Sequence, residues 1–310
     1  MLGLTLLYQG ELKAARSVLE RALVEYVSER DGKSQFLFVR DTEVSAASYL
    51  ALAEWHLGEI ERARQLSNRA IRRAEKLNHG AVITNALFWK TVLELRRDDV
   101  TATRLAVEAL LASTREYGIK TYDDIGQIYA SWARGRLRDP EEGAVEFRQA
   151  LAAYIGLGNR AGLPWLQGLL AELEAPTQGP ESALKLIEQG LATAEETGEH
   201  FSDPYLYRLR GDILVKRDLS DPAPAIDAYQ TAVAIAKQQG ARSYELLASL
   251  SLAKLYQSIA CVADARAVLA RALEGFSPTP EMPEIAEAQA LLESLAHGGE
   301  GAIGSKDQAT

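Results

Sequence analysis

A small residue recurs along this chain at intervals of about 40 residues, and this recurrence limits the folds that the chain can adopt. The steps between its members are 48, 40, 40, 40, 42 and 40 residues. The members of this small-residue column are Ala15, Ala63, Thr103, Gly143, Ala183, Ala225 and Ala265. Four positions later comes a mostly larger group, namely Leu19, Ser67, Val107, Phe147, Ile187, Tyr229 and Leu269. Mostly small residues recur again seven positions after the first column, and apolar residues recur eight positions after it. Offsets of four, seven and eight lie on one face of a helix. The pattern therefore predicts repeated amphipathic helices, which can bury this face only by stacking on one another.

Turn residues follow the same period. Glycine and asparagine accept the left-handed backbone conformation that ends many helices. The spacing predicts helix ends at Asn78, Gly118, Gly158, Gly198 and Gly240. Alanine, leucine, glutamate and arginine dominate the composition, and all favour helix, so we expect an all-α chain.

The pattern W/L-x-x-L-G/A-x-x-Y, followed by a turn and then by A-x-x-x-F-x-x-A, is typical of tetratricopeptide repeats. It is visible in Leu2-Gly3-x-x-Leu6, Leu50-Ala51, Leu209-x-Gly211 and Leu252-Ala253-x-x-Tyr256. We therefore predict a tetratricopeptide-like, right-handed α-solenoid of about seven helix pairs with a C-terminal capping helix. HEAT-type repeats are the alternative, and the small-residue columns favour the tetratricopeptide class.

The predicted repeat domain occupies residues 1–297, followed by a disordered tail at 298–310. Its repeats lie near 1–27, 42–78, 82–118, 122–158, 162–198, 203–240 and 243–276, with the capping helix at 283–297. The segment from Ser28 to Asp41 lengthens the first connection, and we expect Phe36-Leu37-Phe38 to pack back onto the array. Since Leu2-Gly3 already occupies a mid-helix position, either the first helix is short or the chain is a fragment of a longer protein, and we favour the fragment.

Net charge and hydropathy restrict the partners. The formal net charge is −9, whereas proteins that neutralise many phosphates are usually basic, so we expect no nucleic-acid partner. No apolar stretch approaches the length of a membrane span, and the first residues lack a basic leader. We expect no membrane partner and a cytoplasmic location.

No residue pattern indicates catalysis or metal binding. The four histidines, His56, His79, His200 and His297, lack a second ligand at metal-binding spacing. The glycines from Gly156 to Gly162 resemble a phosphate loop but have the wrong spacing and follow a helix. We therefore expect no enzyme activity, no catalytic residues, no metal and no cofactor.

Parts of the chain resemble a known family beyond the generic repeat. The stretches are Thr197–Phe201 followed by Tyr205–Asp212, and Ala236–Ser243 followed by Glu245-Leu246 and Ser251–Ala253. They resemble the C-terminal tetratricopeptide-like repeat region of bacterial multidomain signalling regulators, in which a cyclase or DNA-binding domain and an ATPase module precede the repeats. The resemblance covers nearly the whole chain and is strongest from Thr197 to Leu295. It implies a sensing or regulatory module, and it carries over no catalytic residue because the cyclase and ATPase parts are absent.

In solenoids of this class the first helix of each pair lines the concave surface. Aromatic and basic side chains predicted there form our candidate binding groove: Trp55, Phe88, Arg96, Trp132, Arg136, Trp165, Tyr205, Arg208, Lys216 and Lys254. Arginine suits carboxylates and tryptophan fills apolar pockets, so the expected ligand is a protein or peptide with acidic and apolar side chains. The alternative for each aromatic is a place in the core between adjacent pairs.

These observations favour a non-catalytic protein- or peptide-binding scaffold or regulatory module of a bacterial signalling protein. Two alternatives stay open. One is a sensor of a small ligand or signal peptide, and the other is the C-terminal fragment of a cyclase/ATPase regulator. We also expect that the terminal helices can form a homodimer.

Overall fold

The computed structural model describes residues 1–25 and 41–297, with no description of the His297 side chain. Within these ranges the chain forms fifteen α-helices and no β-strand. The helices are α1 Leu2–Tyr8, α2 Leu12–Glu25, α3 Thr42–His56, α4 Ile60–Leu77, α5 Gly80–Arg96, α6 Val100–Tyr117, α7 Asp123–Leu137, α8 Pro140–Gly156, α9 Leu163–Glu174, α10 Pro180–Thr197, α11 Asp203–Arg217, α12 Ala223–Gln239, α13 Arg242–Ser258, α14 Val262–Leu273 and α15 Glu284–His297. Short 3-10 helices, Lys120–Tyr122 and His200–Ser202, precede α7 and α11. The predictions for Phe36-Leu37-Phe38 and for the tail at 298–310 lie outside the described residues.

The helices form seven consecutive pairs and a final single helix, which confirms the predicted fold class. Every member of the small-residue column is buried on the second helix of a pair, and so is every member of the column four positions later. The final helix, α15, packs on α13 and α14 and buries Ile285, Ala288 and Leu295. The 40-residue period thus reports one helix pair per repeat.

The predicted turn residues end their helices as expected. Asn78, Gly118, Gly198 and Gly240 cap helices with φ between 49° and 74°, and Gly158 has a φ of 82° just after α8. These are left-handed conformations, which glycine adopts without a steric penalty and asparagine tolerates.

The helices group into two compact units, Met1–Ser202 and Asp203–Thr310. The first unit contains the pairs α1/α2 to α9/α10, and its first helices touch one another at α1–α3, α3–α5 and α7–α9. The second unit contains α11 to α15, in which α11 packs on α13. Within the described residues, no helix combines the length and apolarity that crossing a membrane requires.

Ion pairs in the first unit join several second helices to the first helix of the next pair. Arg16 of α2 donates its Nε to Glu54 of α3 at 3.0 Å, and Arg64 of α4 binds Glu94 of α5 at 2.7 Å. Both glutamates are buried. One repeat later the equivalent position of α7 carries Arg134, and Arg104 of α6 binds Glu108 on its own helix. The ion pairs therefore follow the same 40-residue period, with one change of sign.

The charge reversal at Arg134 is accommodated within its own pair. Arg134 donates its Nε to Glu146 of α8 at 2.9 Å. In the next repeat a buried glutamate returns, since Glu174 of α9 accepts from Arg148 of α8 at 2.7 Å. Because a buried carboxylate is costly without a partner, these pairs help to fix which helices are neighbours.

Candidate functional site

The predicted groove residues lie on the first helices of both units. In the first unit, Trp55, Trp132 and Trp165 are buried, and their rings contact other side chains of the chain. Phe88 is half-buried, and the side chain of Arg136 stays partly exposed. The buried indoles match the alternative of a core position between pairs, so direct ligand contact by these three rings stays a prediction.

Aromatic rings form a continuous series along the first helices of the first unit. The ring of Tyr49 on α3 meets Trp89 on α5 at 4.8 Å between centroids, and Phe88 stacks on Tyr122 at 4.8 Å. Tyr129 on α7 continues the series, at 6.2 Å from Phe88 and 6.1 Å from Trp165 on α9. We call this series the aromatic ladder, and its members are Tyr49, Phe88, Trp89, Tyr122, Tyr129 and Trp165.

The Phe88–Tyr122 stack is the part of the aromatic ladder with both rings half-buried rather than buried. Asn85 donates from its side-chain amide to the Tyr122 hydroxyl at 2.7 Å, and this bond holds the tyrosine against α5. The remaining four rings of the ladder are buried. The stack therefore presents the aromatic surface of this face to solvent.

At the end of the ladder, the guanidinium of Arg96 lies between two aromatic rings. Its Cζ atom is 4.3 Å from the centroid of Trp165 and 4.2 Å from that of Phe201. The rings of Tyr8 and His56 meet the same phenylalanine at 5.2 and 6.4 Å, both edge to face. We call these five residues the arginine centre. Arg96 is only 6% exposed there, and cation–π contacts of this kind strengthen when water is excluded.

Three members of the arginine centre occupy equivalent positions in successive repeats. Tyr8, His56 and Arg96 are the last residues of α1, α3 and α5. A helix C-terminus carries negative partial charge, which favours the arginine. The 3-10 helix His200–Ser202, which follows the fifth pair, brings Phe201 to all three. The first helix of the unit is thereby joined to the segment that ends it.

Burial shifts the pKa of groups in this centre and of Tyr129 in the aromatic ladder. Complete burial lowers the pKa of His56 well below its usual 6.5, and the positive charge of Arg96 lowers it further, so the imidazole is neutral at pH 7. Burial raises the pKa of the Tyr8 and Tyr129 hydroxyls above their ordinary value, so both stay protonated. The arginine therefore carries the positive charge of the arginine centre.

A carboxylate next to the centre holds the start of α9. Glu199 accepts a hydrogen bond from the backbone amide of Gly162 at 2.8 Å, and Gly162 has a φ of 72° as the residue before the helix. Burial raises the pKa of Glu199, while the Gly162 amide and the charge of Arg96 oppose that shift. The Glu199 carboxylate thus lies at the N-terminus of α9, where the backbone amides and the helix dipole favour an anion.

Trp132 and Arg136 share one acceptor on the neighbouring first helix. Trp132 donates from Nε1 to Glu172 at 3.0 Å, and Arg136 donates from Nη1 to the same oxygen at 3.1 Å. The guanidinium also lies 5.0 Å from the Trp132 ring and binds Asp98 at 3.0 Å. These contacts fix the orientation of a partly exposed arginine on α7.

The second unit has its own polar and aromatic cluster. Asp212 accepts from Arg208 and from the Tyr229 hydroxyl, each at 2.8 Å. Tyr205 lies 5.8 Å from the Arg208 guanidinium and stacks on Tyr244 at 6.5 Å. The two predicted lysines lie elsewhere on the exposed surface, and Lys254 pairs with Glu287 at 2.7 Å.

Tyr8, Phe201 and Glu199 were not predicted from the sequence as site residues. Tyr8 had a signal, because it occupies the same repeat position as His56 and Arg96. Phe201 and Glu199 lie in the connection between two pairs, outside the repeated columns, so periodicity could not find them. Within residues 1–25 and 41–297, no group of three histidine, cysteine, aspartate or glutamate side chains could hold a metal ion.

Comparison with known proteins supports the fold and leaves the activity open. No protein-family model matches the chain. An uncharacterized protein of Rhizobium meliloti (strain 1021) is 22% identical over 247 residues, which is 79% of this chain and 24% of that protein. This chain therefore spans about a quarter of the length of that relative.

Among solved structures, the apo form of RapI is similar over 95% of this chain and all of its own, with a TM-score of 0.55 and 12% identity. Yeast Tom70 is similar over 87% of this chain and 49% of its own, with a TM-score of 0.47 and 13% identity. The likeness to RapI supports the tetratricopeptide-like fold.

Proposed function

We propose that this chain is a non-catalytic module that binds a protein or peptide on the face formed by the first helices of its first unit. The half-exposed Phe88–Tyr122 stack carries this proposal, since a pair of rings fixed by Asn85 provides a rigid apolar anchor point at low entropic cost. Repeat arrays of this kind bind extended surfaces rather than single reactive groups.

The chemistry of the face favours a ligand with apolar and acidic side chains. In the first unit Arg136 keeps part of its side chain exposed; in the second unit, taken by itself, Arg208 does so too, and Lys216 and Lys254 are exposed. Trp55, Arg96, Trp132, Trp165 and Tyr205 are buried and would support the binding surface from below, or contact a ligand after rearrangement. The net charge of −9 disfavours nucleic acid and an anionic membrane as partners.

The arginine centre favours a second candidate function, that of a sensor for a small ligand or signal peptide. It joins the C-terminal ends of α1, α3 and α5 to the segment after the fifth pair, so a ligand that separates Phe201 from Arg96 would change how these helices meet. We further propose a cytoplasmic, regulatory role in bacterial signalling, within a longer cyclase/ATPase-type protein. A homodimer through the terminal helices belongs to the same proposal.

Selection from a random peptide library on the immobilised chain tests the main proposal. Enriched peptides should carry acidic and apolar side chains. Their affinity, measured by fluorescence anisotropy, should fall about tenfold or more in Phe88→Ala and in Arg136→Ala. Leu105→Ala on α6, a second helix where this side chain is 55% exposed, is the matched control and should bind as the wild type does.

Failure of enrichment above the bare support would contradict the proposal. So would enriched peptides that bind both first-helix variants with unchanged affinity, provided that circular dichroism shows the variants folded. Binding of an uncharged small molecule that Phe201→Ala abolishes, without any peptide binding, would favour the sensor instead.

A further inference from the structure

A groove with a volume of about 740 Å³ runs between α2 and α4. Both are second helices, so this groove lies apart from the aromatic ladder on the first helices. Leu50 of α3 lies at its floor and is 1% exposed, and Leu23 of α2 and Leu66 of α4 add apolar side chains. The volume lies within the range of sites that hold a ligand or a short peptide segment.

One wall of the groove is a row of arginines on α4. Arg62, Arg69 and Arg72 line the groove together with Gln65. Spacings of three and seven residues place these side chains on one face of the helix. The row from residue 62 to residue 72 is about 15 Å long at a rise of about 1.5 Å per residue.

The other wall presents apolar surface on α2. Val24 is 84% exposed, an unusual environment for a branched apolar side chain, and Leu23 beside it is half-buried. Glu20, one turn earlier, pairs with Arg62 across the groove. The walls therefore combine apolar and basic character along one length of helix.

The charges that line the groove are unbalanced. Three arginines face one glutamate, in a protein whose formal net charge is −9. Arg62 also binds Glu54, and Arg69 binds Glu43 at 2.7 Å. Arg72 makes no ion pair within the described part of the chain. A ligand that supplies a carboxylate to Arg72, with apolar side chains against Val24 and Leu23, would complement this surface.

We propose that the α2/α4 groove binds an acidic amphipathic helix of a partner protein. A helix of about three turns matches the arginine row in length, since each turn adds about 5.4 Å. Its apolar side chains, spaced three and four residues apart, lie between Leu23, Val24 and Leu66, and its carboxylates meet the arginines of α4. The proposal is independent of the one for the first-helix face.

The test uses the full chain and a fluorescein-labelled designed peptide. Leucines spaced three and four residues apart form one face of the peptide, and glutamates form the other. The peptide should bind with an affinity that falls as salt is added, because salt screens the arginine contacts. Arg72→Glu and Val24→Glu should each weaken binding about tenfold or more. Arg266→Glu, an exposed arginine on α14, is the matched control and should leave the affinity unchanged.

Five outcomes would overturn the proposal. The first is no binding of the peptide, and the second is equal binding by both groove variants and the control. The third is that the protein does not bind the peptide but sediments with phosphatidylserine vesicles, and that Arg72→Glu abolishes this sedimentation. This result would assign the groove to a membrane surface. The fourth is a concentration-dependent dimer that is lost in Val24→Glu, and the fifth is peptide binding that begins only when Phe36, Leu37 and Phe38 are replaced by serine. These results would assign the groove to a second copy and to residues 26–40, respectively.

Discussion

The Cα atom of Gly135 lies 2.4 Å from the position that a Cβ atom on Gly143 would occupy, so α7 and α8 pack backbone against backbone. Gly143 is the glycine member of the small-residue column that defines the repeat. Gly143→Ala should lower the free energy of unfolding by about 1–3 kcal/mol, because the added methyl group meets backbone atoms that cannot move independently. Urea denaturation followed by circular dichroism measures this change.

Gly156→Ala is the control for that substitution. Gly156 ends the same helix, and no atom lies within 4 Å of a Cβ added there. The free energy of unfolding should stay the same or rise by up to about 1 kcal/mol, since alanine favours helix over glycine. Equal destabilisation by both substitutions would show that the close approach of Gly135 and Gly143 does not explain the cost of a larger side chain at position 143.

Glu94→Gln should destabilise the protein by about 3–5 kcal/mol, the range for breaking a buried ion pair. Glu94 is 1% exposed and accepts from Arg64 and Arg97, so the change removes the buried carboxylate that these two ion pairs share. Thermal and urea unfolding measure the loss, and a double-mutant cycle with Arg64→Met isolates the bond between pairs.

The exposed Arg104–Glu108 pair gives the comparison for Glu94. Both of its side chains are substantially exposed, so Glu108→Ala should change the free energy of unfolding by no more than about 0.5 kcal/mol. A coupling energy near zero between Arg64 and Glu94 would contradict the role of these bonds in joining neighbouring pairs.

His56 should make stability depend on pH in the mildly acidic range. The pKa of His56 in the folded protein lies well below 6.5. As the pH falls through 6.5, the unfolded chain therefore binds more protons than the folded chain. The neutral imidazole makes its full contribution to the free energy of unfolding above about pH 6.5. This contribution is lost as the pH falls toward the folded pKa, by up to about 1.4 kcal/mol per pH unit.

The measurement compares wild-type protein with His56→Gln by urea denaturation at several pH values between neutral and mildly acidic. The difference between the two curves isolates His56, since Glu199 and the other carboxyl groups contribute to both. Parallel curves would show that His56 titrates normally in the folded protein, contrary to its burial beside Arg96.

Phe201→Ala should open the arginine centre. The loss of a fully buried phenylalanine costs about 3–5 kcal/mol. Hydrogen exchange should accelerate in Leu2–Tyr8, because Tyr8 loses its contact with the ring. Phe276→Ala, which removes a half-buried ring near Arg242 in the second unit, should leave exchange in α1 unchanged.

The fold could be predicted because each helix pair buries the same columns. Ala63, Ala183 and Ala265 are equivalent in the sequence and buried in the structure, since close helix packing leaves room for little more than a methyl group at that position. The seven pairs follow from this one requirement, since each contributes one member of the column.

The site was harder to predict because a helix position does not reveal how deeply a side chain is buried. Trp132 and Arg136 are one turn apart on α7, yet Trp132 is fully buried and Arg136 is partly exposed. Phe201 is in a connection between pairs, where no repeat constrains the sequence. The α2/α4 groove was also missed, because exposure of Val24 depends on the neighbouring helix and not on the period.

The repeats pack their helices in the same way, but they differ in charge at one equivalent position, which is Glu94 in α5 and Arg134 in α7. Loss of residues 81–120 would remove nearly all of α5 and α6, and it would set Arg134 opposite Arg64, two cations where a carboxylate had been. Recombination between similar repeats can shorten or lengthen arrays of this type, and here such an event would be penalised at the new junction. The charges at this junction thus oppose the loss of this one repeat, even though the hydrophobic seams would accept a shorter array.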